Sequence, residues 1–510
     1  MKTLIKIMAL CFVAALLHSC FKDESTLDVN TIEGVEIDTS GISNLTIYQF
    51  ENLIVEPDLV TDGLAEERLS YEWKINLEPD DTVYQVLGEQ RNLNSEIIFS
   101  STEPGDFHQL VYTVTDGQTG IDYIMTWPLR ILNSIGEGIV VAETPDGINT
   151  DLSHIMSPEV TPDFASTDVK HNVFSTLNGT TIPGITKQLK GYTIFGENAI
   201  IGITDEMIYK INPLDYSLAG TDGGLFYVAP ESFNPQKLDA VNQGSIIVNN
   251  GELTSTFLGV SRKFGVPFTS DYDVPEVFAV NPAANPAVTL NFYSEELERF
   301  IYQPSLTQFG DRTMHLIPGD EGAEFDPANL SGKKNLAASA GTNGNFRHVL
   351  QDEASGEVGL YIFDGGQSIY PDIFPPAPIA YFDLSQAPEI NEAQYFAFLD
   401  DQRILYYATT TKIYAVLFAS SSLQVEERYT LPAGEEITTL QVYQQADYPF
   451  RSTDDYLPLN NDALLMSSYD NTQGKVYLLP LINTGLGNVD TSNITSYEGF
   501  SRITALGIQL

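Results

Sequence analysis

Cysteine is almost missing from this chain. Its 510 residues include two cysteines, Cys11 and Cys20, and both lie within the first twenty positions. Beyond residue 20 the chain can therefore form neither disulfide bonds nor thiolate metal sites. Tryptophan is equally rare, with Trp73 and Trp127 as the only two. Most of the folded protein must be stabilised by burial of aliphatic, tyrosine and phenylalanine side chains.

Positive charge is also scarce. The chain has 25 lysines and arginines against 69 aspartates and glutamates, which gives a net charge of −44. A protein this anionic is repelled by phosphate backbones, so we predict that it has no nucleic-acid partner. The acidic residues are dispersed rather than grouped in blocks, and 43% of the residues are hydrophobic, as is usual for a folded protein.

Long hydrophobic runs are missing as well, since no segment approaches the roughly 18 continuous apolar residues of a membrane-spanning helix. The apolar run at 7–17 follows Lys6 and ends three residues before Cys20. A charged start, a short apolar run and a small residue before cysteine are typical of a bacterial lipoprotein signal. We predict that residues 1–19 are a signal peptide and that Cys20 is lipidated, although His18 departs from the usual pattern. The alternative is a cleaved signal with an incidental cysteine.

Three residues beside the lipidation site indicate where the protein is sent. Lys22, Asp23 and Glu24 resemble the lysine-plus-acidic export signal of Bacteroidetes lipoproteins displayed on the cell surface. The resemblance implies a lipid anchor in the cell outer membrane, with the protein facing the exterior. Residues 20–33 are polar, acidic and aperiodic, as expected of a lipidated tether.

Residues 34–132 have the pattern of a small all-β domain. Apolar and polar residues alternate through 69–75, which places Trp73 on one face of a strand. Further strands are predicted at 109–115, before a turn at Asp116-Gly117, and at 122–132, which carries Trp127. Both tryptophans lie on strand faces, so core packing is favoured over ligand stacking.

The order of these motifs resembles the PKD domain. Tyr71-Glu72-Trp73 is followed by a glycine-led strand from Gly105, which ends in Thr115-Asp116-Gly117 with Gly120 completing the turn. The resemblance implies an immunoglobulin-like sandwich. Over its whole length the chain resembles the PKD-like lipoproteins of Bacteroidetes, in which this domain precedes a long β-rich region.

Residues 138–510 are predicted to form a repeat of β-strands. A polar, glycine-containing step at 133–138 marks the boundary, and we expect few packing contacts there. Short apolar runs separated by turn residues follow, and a pattern of strands recurs with an offset of roughly 60 residues. The last six predicted strands are grouped into two units of three, the first unit covering 403–443 and the second covering 463–510. The predicted strands are 138–143, 199–204, 207–211, 245–248, 358–364, 403–409, 412–418, 435–443, 463–468, 475–481 and 503–510.

Such meanders cannot bury both sheet faces alone, so they must stack on one another. About 370 residues at roughly 40–60 per four-stranded unit predict six to eight units. The predicted fold class is all-β, with an N-terminal immunoglobulin-like (PKD) β-sandwich followed by a six- to eight-bladed β-propeller. Further sandwich domains are the main alternative, and a parallel β-helix is disfavoured because its coils would be shorter and more uniform.

The sequence carries no catalytic signature. The five histidines beyond the signal peptide form no close pair and no H-E-x-x-H motif, which favours structural roles. They are His108, His154, His171, His315 and His348. Ser339 lies in a segment that only loosely mimics a nucleophile elbow, and no glycine-rich phosphate-binding motif is present. We predict no catalytic residue and no cofactor.

Acidic pairs and loop aromatics are the remaining candidates for binding. Three acidic pairs lack the spacing of a calcium loop, so solvated turns are favoured and no metal site is predicted. They are Asp271 with Asp273, Asp400 with Asp401, and Asp454 with Asp455. Tyr370, Tyr448 and Phe450 lie beside prolines and are better placed for ligand contact than strand aromatics, although rigid surface connections are the favoured interpretation.

These observations favour a binding protein over an enzyme. By resemblance, we expect an accessory lipoprotein of a TonB-dependent outer-membrane uptake system that binds a glycan, a peptide or a partner protein. One alternative is a propeller-type hydrolase or lyase that acts on extracellular polymers, which a cluster of His, Asp and Glu at one end of the channel would favour. The other is an adhesion or assembly module, which a large exposed apolar patch would favour.

Overall fold

A computed structural model describes the protein at residues 34–42, 45–61, 63–99, 101–102, 105–162, 164–194, 196–241, 244–256, 262–268, 272–281, 288–305, 313–341, 344–369, 372–418, 423–450 and 456–510. Cys20, Lys22, Asp23 and Glu24 lie outside the described residues, so lipidation and export stay predictions. The chain folds into two compact units. Asn52–Ser95 and His108–Leu129 belong to the first, and Arg130–Leu510 belongs to the second together with Thr46–Glu51 and Glu96–Phe107.

The first nine strands form the N-terminal sheets. They are β1 (Glu36–Asp38), β2 (Leu45–Tyr48), β3 (Asn52–Val55), β4 (Asp58–Val60), β5 (Leu69–Asn76), β6 (Tyr84–Gly88), β7 (Leu93–Glu96), β8 (His108–Asp116) and β9 (Asp122–Leu132). The largest sheet has the order β2-β9-β8-β5-β6, and β3 pairs with β7 in a second sheet. The three strands predicted from alternation, β5, β8 and β9, are adjacent in the large sheet.

The two tryptophans are core residues, as predicted. Trp73 on β5 and Trp127 on β9 are both buried, and their ring centroids lie 5.9 Å apart in a stacked arrangement. Tyr112 on β8 stacks on Trp73 from 4.1 Å. Strict alternation places these rings on one face of the sheet, where their large apolar area stabilises a domain that has no disulfide.

The turn after β8 is organised by Asp116. Its carboxylate accepts hydrogen bonds from the Gln118 amide at 3.0 Å, the Thr119 hydroxyl at 2.7 Å and the Arg68 guanidinium at 2.7 Å. These hydrogen bonds, first of all the one from Gln118, lower the pKa of Asp116 to about 2. Gly120 completes the turn with a φ of 69°. The hydrogen bonds to the Asp116 carboxylate therefore stabilise the turn that carries the family resemblance.

Beyond the sandwich, the described strands form seven successive sheets, here called blades 1 to 7. Blade 1 contains β10 (Gly138–Thr144), β11 (Asp151–Met156) and β12 (Asp168–Lys170), and blade 2 contains β13 (Gln188–Ile194), β14 (Glu197–Ile203), β15 (Ile208–Ile211) and β16 (Leu218–Thr221). Blade 3 contains β17 (Pro235–Val241), β18 (Gly244–Asn249) and β19 (Glu252–Ser255), and blade 4 contains β20 (Phe278–Val280), β21 (Leu290–Ser294), β22 (Arg299–Gln303) and β23 (His315–Leu316).

The last three blades follow the same order. Blade 5 contains β24 (Lys333–Ala340), β25 (Phe346–Asp352), β26 (Val358–Phe363) and, after a hairpin of β27 (Gln367–Ile369) and β28 (Asp372–Phe374), β29 (Pro378–Asp383). Blade 6 contains β30 (Tyr395–Phe398), β31 (Ile404–Ala408), β32 (Lys412–Leu417) and β33 (Gln424–Thr430). Blade 7 contains β34 (Glu436–Val442), β35 (Ala463–Tyr469), β36 (Gly474–Ile482), β37 (Asn488–Val489) and β38 (Thr495–Phe500).

Helical structure is limited to short turns in the described residues. The single α-helix is α1 (Val173–Asn178), and 3-10 turns occur at Glu66–Arg68, Asp222–Leu225, Ile390–Glu392 and Thr484–Leu486. No helix in the described part of the chain is long and apolar enough to cross a membrane. The all-β prediction is confirmed.

Seven apolar clusters join the blades into a ring, one between each blade and the next. They are centred on Ile200 (blades 1 and 2), Ile247 (2 and 3), Ile246 (3 and 4), Phe300 (4 and 5), Leu360 (5 and 6), Leu464 (6 and 7) and Leu465 (7 and 1). Adjacent residues such as Leu464 and Leu465 pack against different neighbours, because successive side chains of a strand point to opposite faces. This two-sided burial identifies a seven-bladed propeller, within the predicted six to eight.

The ring is closed by the last strand, β39 (Arg502–Gln509). It pairs antiparallel with β10, so that Val141 lies opposite Leu506. Blade 1 therefore has the order β12-β11-β10-β39 and joins both ends of the propeller sequence. The hydrogen bonds between β10 and β39 therefore hold the first and last strands of the propeller sequence together in one sheet.

Two sequence interpretations were wrong in detail. The stretch 503–510 is not the third strand of the last unit, because β39 pairs with β10, and 435–443 opens blade 7 rather than ending blade 6. The step at 133–138 does not lack packing contacts: Ile135 is fully buried in the cluster between blades 1 and 2. Because polar and glycine residues flank Ile135, the sequence pattern did not indicate that this residue packs in the core.

Candidate functional site

The candidate site is the central channel of the propeller. A cavity of about 330 Å³ is lined by residues from seven inner strands, one strand for each blade. The strands are β13, β17, β20, β24, β30, β34 and β39, represented by Gly191, Asp239, Phe278, Ser339, Ala397, Gln441 and Gly507. Most lining residues lie towards the carboxyl ends of these strands, so the connections that follow them shape the site.

Charged side chains from three blades share this cavity. Lys190 of blade 2 lies 3.6 Å from the carboxylate of Asp239 in blade 3. The Lys190 charge also lowers the pKa of Asp400, at the end of the inner strand of blade 6. The Lys190 charge thus acts on carboxylates contributed by two different blades.

Lys237 is the second lysine of the channel, and it has a different environment. Its ammonium lies 5.9 Å from the ring centroid of Phe278, on the next inner strand. It makes no hydrogen bond and no ion pair to any residue that the structure describes. Burial lowers the pKa of Lys237, the Asp239 carboxylate opposes that shift, and the Lys190 charge adds to it.

Asp400 is the most perturbed carboxyl of the channel. Burial raises the pKa of Asp400 to about 6, against the opposing effects of Gln444 and Arg347. The Gln444 side-chain amide donates a hydrogen bond to the Asp400 carboxylate at 2.9 Å. Arg347 donates to the backbone carbonyls of Leu399 and Asp400, at 2.8 and 3.1 Å. The backbone at the end of β30 is thereby fixed while its carboxyl faces the cavity.

Further carboxyl groups lie close to Asp400. Asp401 accepts a hydrogen bond from the Asn461 amide at 2.9 Å and raises the pKa of both Asp400 and Asp462. The sequence suggested a solvated turn at Asp400 and Asp401. Asp401 is exposed in that turn, as predicted, whereas Asp400 lines the cavity. No group of three or more His, Cys, Asp and Glu able to hold a metal is found among the described residues.

The connection between β34 and β35 covers this end of the channel. Gln444, Gln445 and Tyr448 from this connection line the cavity together with the inner strands. Burial, followed by the charges of Asp400 and Asp401, raises the pKa of Tyr448, so its hydroxyl stays protonated at neutral pH. Gln445 anchors the connection by accepting a hydrogen bond from the Leu457 amide at 2.7 Å.

A second cavity of about 360 Å³ adjoins the first. Ala240 and Ala446 line both, and Phe450 lines the second cavity with Tyr192 of blade 2. The Phe450 ring is 39% exposed, which leaves an aromatic surface available for contact. Tyr448 and Phe450 were considered as candidate contact residues, and the structure places Tyr448 in the channel cavity and Phe450 in the adjoining cavity. Tyr370 lies outside the described residues.

The histidines are dispersed and mostly structural, as expected. His154 is buried and hydrogen-bonds the Tyr216 hydroxyl at 2.8 Å, and burial lowers its pKa to about 3. Burial likewise lowers the pKa of His348 to about 3. His108 contacts the Asn76 carbonyl at 2.9 Å, His171 packs against Phe500, and His315 stacks on Tyr302. None of the five lines the channel cavity.

Ser339 is the one nucleophile candidate that reaches the channel. It lies within β24 rather than at a strand-to-helix turn, which agrees with the loose match to a nucleophile elbow in the sequence. Asp273 lies outside the cavity lining, and Asp271, Asp454 and Asp455 lie outside the described residues. Sequence reasoning missed Lys190, Lys237 and Asp239. A charged residue inside an otherwise apolar, strand-like segment is the sequence feature that could have identified them.

Comparison with known families adds one assignment. Residues 20–185 match the model of the PKD-like family. The match confirms the resemblance drawn from the motif order, and it continues past Leu132 through β10, β11, β12 and α1. The family segment therefore includes the first strands of the propeller. No curated protein matches this chain in sequence.

Several solved structures are similar in fold at low sequence identity. A quinonprotein alcohol dehydrogenase-like protein from Bacteroides thetaiotaomicron is 12% identical, with a TM-score of 0.49, over 94% of this chain and 98% of that chain. The extracellular domain of a putative hybrid two-component system from the same organism is 9% identical, with a TM-score of 0.37, over 83% and 57%. The WD40 domain of SCAP from fission yeast is 10% identical, with a TM-score of 0.31, over 62% and 73%. The propeller assignment itself rests on the strand order and clusters described above.

Proposed function

We propose that this chain is a surface-exposed outer-membrane lipoprotein that binds a nutrient ligand, a glycan or a peptide, in the propeller channel. The observation that carries the proposal is the cavity of about 330 Å³, where seven inner strands bring polar side chains together. A volume in this range suits a small ligand or the end of a longer one. The signal peptide, Cys20 and the tether support a surface location, because they would hold the propeller outside the membrane.

The composition of the site supports ligand capture. Side-chain amides of Gln441 and Gln444, the hydroxyl of Tyr448 and carboxyl groups can all hydrogen-bond the hydroxyls of a sugar or the amides of a peptide. Tyr448 and Phe450 add aromatic surface beside those polar groups. By the family resemblance, the bound ligand would then pass to a TonB-dependent uptake partner.

The proposal is tested by binding. The full chain, purified in detergent, is applied to arrays of glycans and peptides, and hits are measured by calorimetry. We expect micromolar affinity, equivalent to about −8 kcal/mol at 1 μM, without product. Ser339→Trp should abolish binding by filling the channel, whereas Tyr227→Trp, at an exposed position, should not. Binding that survives Ser339→Trp would exclude the channel as the site.

A propeller-type hydrolase or lyase is the second candidate function. It is favoured by Asp400, a carboxyl in the channel whose pKa is raised to about 6, beside Asp401 and Asp462. Carboxyl groups with raised pKa values serve as general acids in enzymes. The same ligand panel should be screened for turnover. Product formation that is lost in Asp400→Asn would establish the enzyme in place of the binding protein.

Exposed apolar side chains on blade 5 are the feature that would favour the third candidate function, an adhesion or assembly module. Ile369 and Phe374 of the β27–β28 hairpin are 53% and 57% exposed, and Ile379 of β29 is 44% exposed. Copurification of an outer-membrane partner without any small ligand would favour that role.

A further inference from the structure

We propose that Lys237 binds the carboxylate of the ligand, so that the channel selects small molecules or chain ends that carry a carboxyl group. The inference rests on the proposed binding function and names the ligand class. Its basis is the pairing of charges in the channel. Lys190 has Asp239 as its partner at 3.6 Å, whereas Lys237 has no hydrogen bond or ion pair among the described residues.

The Lys237 ammonium feels the charges of Asp239 and Glu276, but it donates no hydrogen bond to any described residue. The ammonium carries three hydrogen-bond donors. The ring of Phe278, 5.9 Å away, attracts the positive charge but has no lone pair to accept a hydrogen bond. Burial disfavours the charged form of Lys237, and an anionic group beside it would offset that effect. A ligand carboxylate supplies both the opposite charge and the acceptors.

The surroundings favour a single carboxylate over a more highly charged anion. The chain has a net charge of −44, and the channel itself contains Asp239 and Asp400. A doubly charged phosphate would be repelled by these groups more strongly than a carboxylate. The rest of a carboxylate ligand would meet uncharged donors and acceptors, since Gln441, Gln444 and Tyr448 line the same cavity.

Two sources share this chemistry: acidic sugars and the C-termini of peptides. The full chain in detergent is titrated calorimetrically with a hexuronic acid trimer and its methyl ester, and with tripeptides and their C-terminal amides. We expect the carboxylate form from one source to bind at least about tenfold more tightly than its neutral counterpart, as for hydrogen bonds to charged groups. Whichever pair shows the difference identifies the source.

Variants assign the preference to the residue. Lys237→Met should reduce affinity for the carboxylate about 10- to 100-fold and leave the neutral form unchanged. Lys237→Arg should retain the preference, because it keeps the positive charge. Lys187→Met is the control, since Lys187 is partly exposed, pairs with Asp205 and does not line the cavity. Thermal unfolding monitored by circular dichroism verifies that each variant is folded.

The outcomes separate the two proposals. Equal binding of acids and their neutral counterparts, lost in Ser339→Trp but unchanged in Lys237→Met, would overturn the role of Lys237 and leave channel binding intact. A carboxylate preference that Lys237→Met does not alter would also overturn it. Absence of binding by every compound, and by the wider arrays, would overturn the binding function as well.

Discussion

The carbonyl oxygen of Ile508 in β39 occupies the space in which a side chain on Gly191 of β13 would have to lie. A Cβ added at Gly191 would overlap that oxygen and would stand 2.9 Å from the Cα of Gln509. The inner strands of blades 1 and 2 thus approach backbone to backbone beside the channel. This approach occurs where the last strand of the chain closes the propeller.

Gly191→Ala should therefore destabilise the propeller. The clash is with backbone rather than with a flexible side chain, so the strands must separate, at a cost of at least about 1–3 kcal/mol. Urea unfolding measures the change. Gly224→Ala is the control, because a Cβ there meets nothing within 4 Å, and it should change stability by less than about 0.5 kcal/mol. Equal stability of the two variants would contradict the close approach.

The cluster between blades 7 and 1 makes a second prediction. Leu478 is fully buried in that cluster, whereas Leu486 is 52% exposed. Leu478→Ala should lower the free energy of unfolding by about 2–5 kcal/mol, because it leaves a cavity. Leu486→Ala should change it by less than about 0.5 kcal/mol. If both leucines prove equally dispensable, the closure of the ring through blades 7 and 1 is wrong.

Asp400 predicts a pH dependence of stability. Its pKa is about 6 in the folded protein, against an ordinary value of 3.8, so the folded state binds the proton more tightly. The stabilisation is complete below pH 3.8 and is lost as pH rises through 6, by about 3 kcal/mol at most. Asp400→Asn keeps an oxygen for the Gln444 amide, so it should be more stable than the parent at pH 7.5 but not at pH 3.5. Denaturant unfolding at both values measures this. A stability difference that does not change with pH would contradict the raised pKa.

Cys20 is predicted to carry the lipid. Cys20→Ser removes the thiol that becomes acylated, so cells supplied with a fatty-acid probe should no longer label the protein. Cys11→Ser, within the signal peptide, is the matched control and should label normally. Labelling that persists in Cys20→Ser would refute the assignment.

Export to the cell surface is predicted to depend on Lys22, Asp23 and Glu24. Replacing all three with alanine should preserve lipidation, because Cys20 and the preceding signal are unchanged. The variant should nevertheless become inaccessible to protease added to intact cells. If parent and variant are cleaved to the same extent, these residues are not the export signal.

The sequence could predict three strands of the sandwich and eleven of the propeller, but none of the strands of blade 4. Alternation through 69–75 located β5, and the hairpin across 205–206 was found correctly as β14 and β15. At Leu464 and Leu465 the sequence shows only a continuous apolar run. It cannot reveal that one side chain packs on blade 6 and the other on blade 1.

The site was predictable only in part. Tyr448 and Phe450 stood out because they flank a proline, but Lys190, Lys237 and Asp400 are separated by many residues in the chain. They share a cavity because inner strands of different blades converge on one axis. No local pattern encodes that convergence, so the sequence could not show that Asp400 lines the channel while Asp401 stays exposed in the turn.

The sequence by itself determined the strand pattern, the scarcity of cysteine and positive charge, and the signal-like N-terminus. These properties depend on residue types and on local spacing, which can be read directly from the sequence. Only the tertiary structure decided which strands share a blade, because hydrogen bonding joins β10 to β39 across more than three hundred residues. The tertiary structure also decided which lysine has a partner in the channel, because the inner strands of blades 2 and 3 bring Lys190 within 3.6 Å of Asp239.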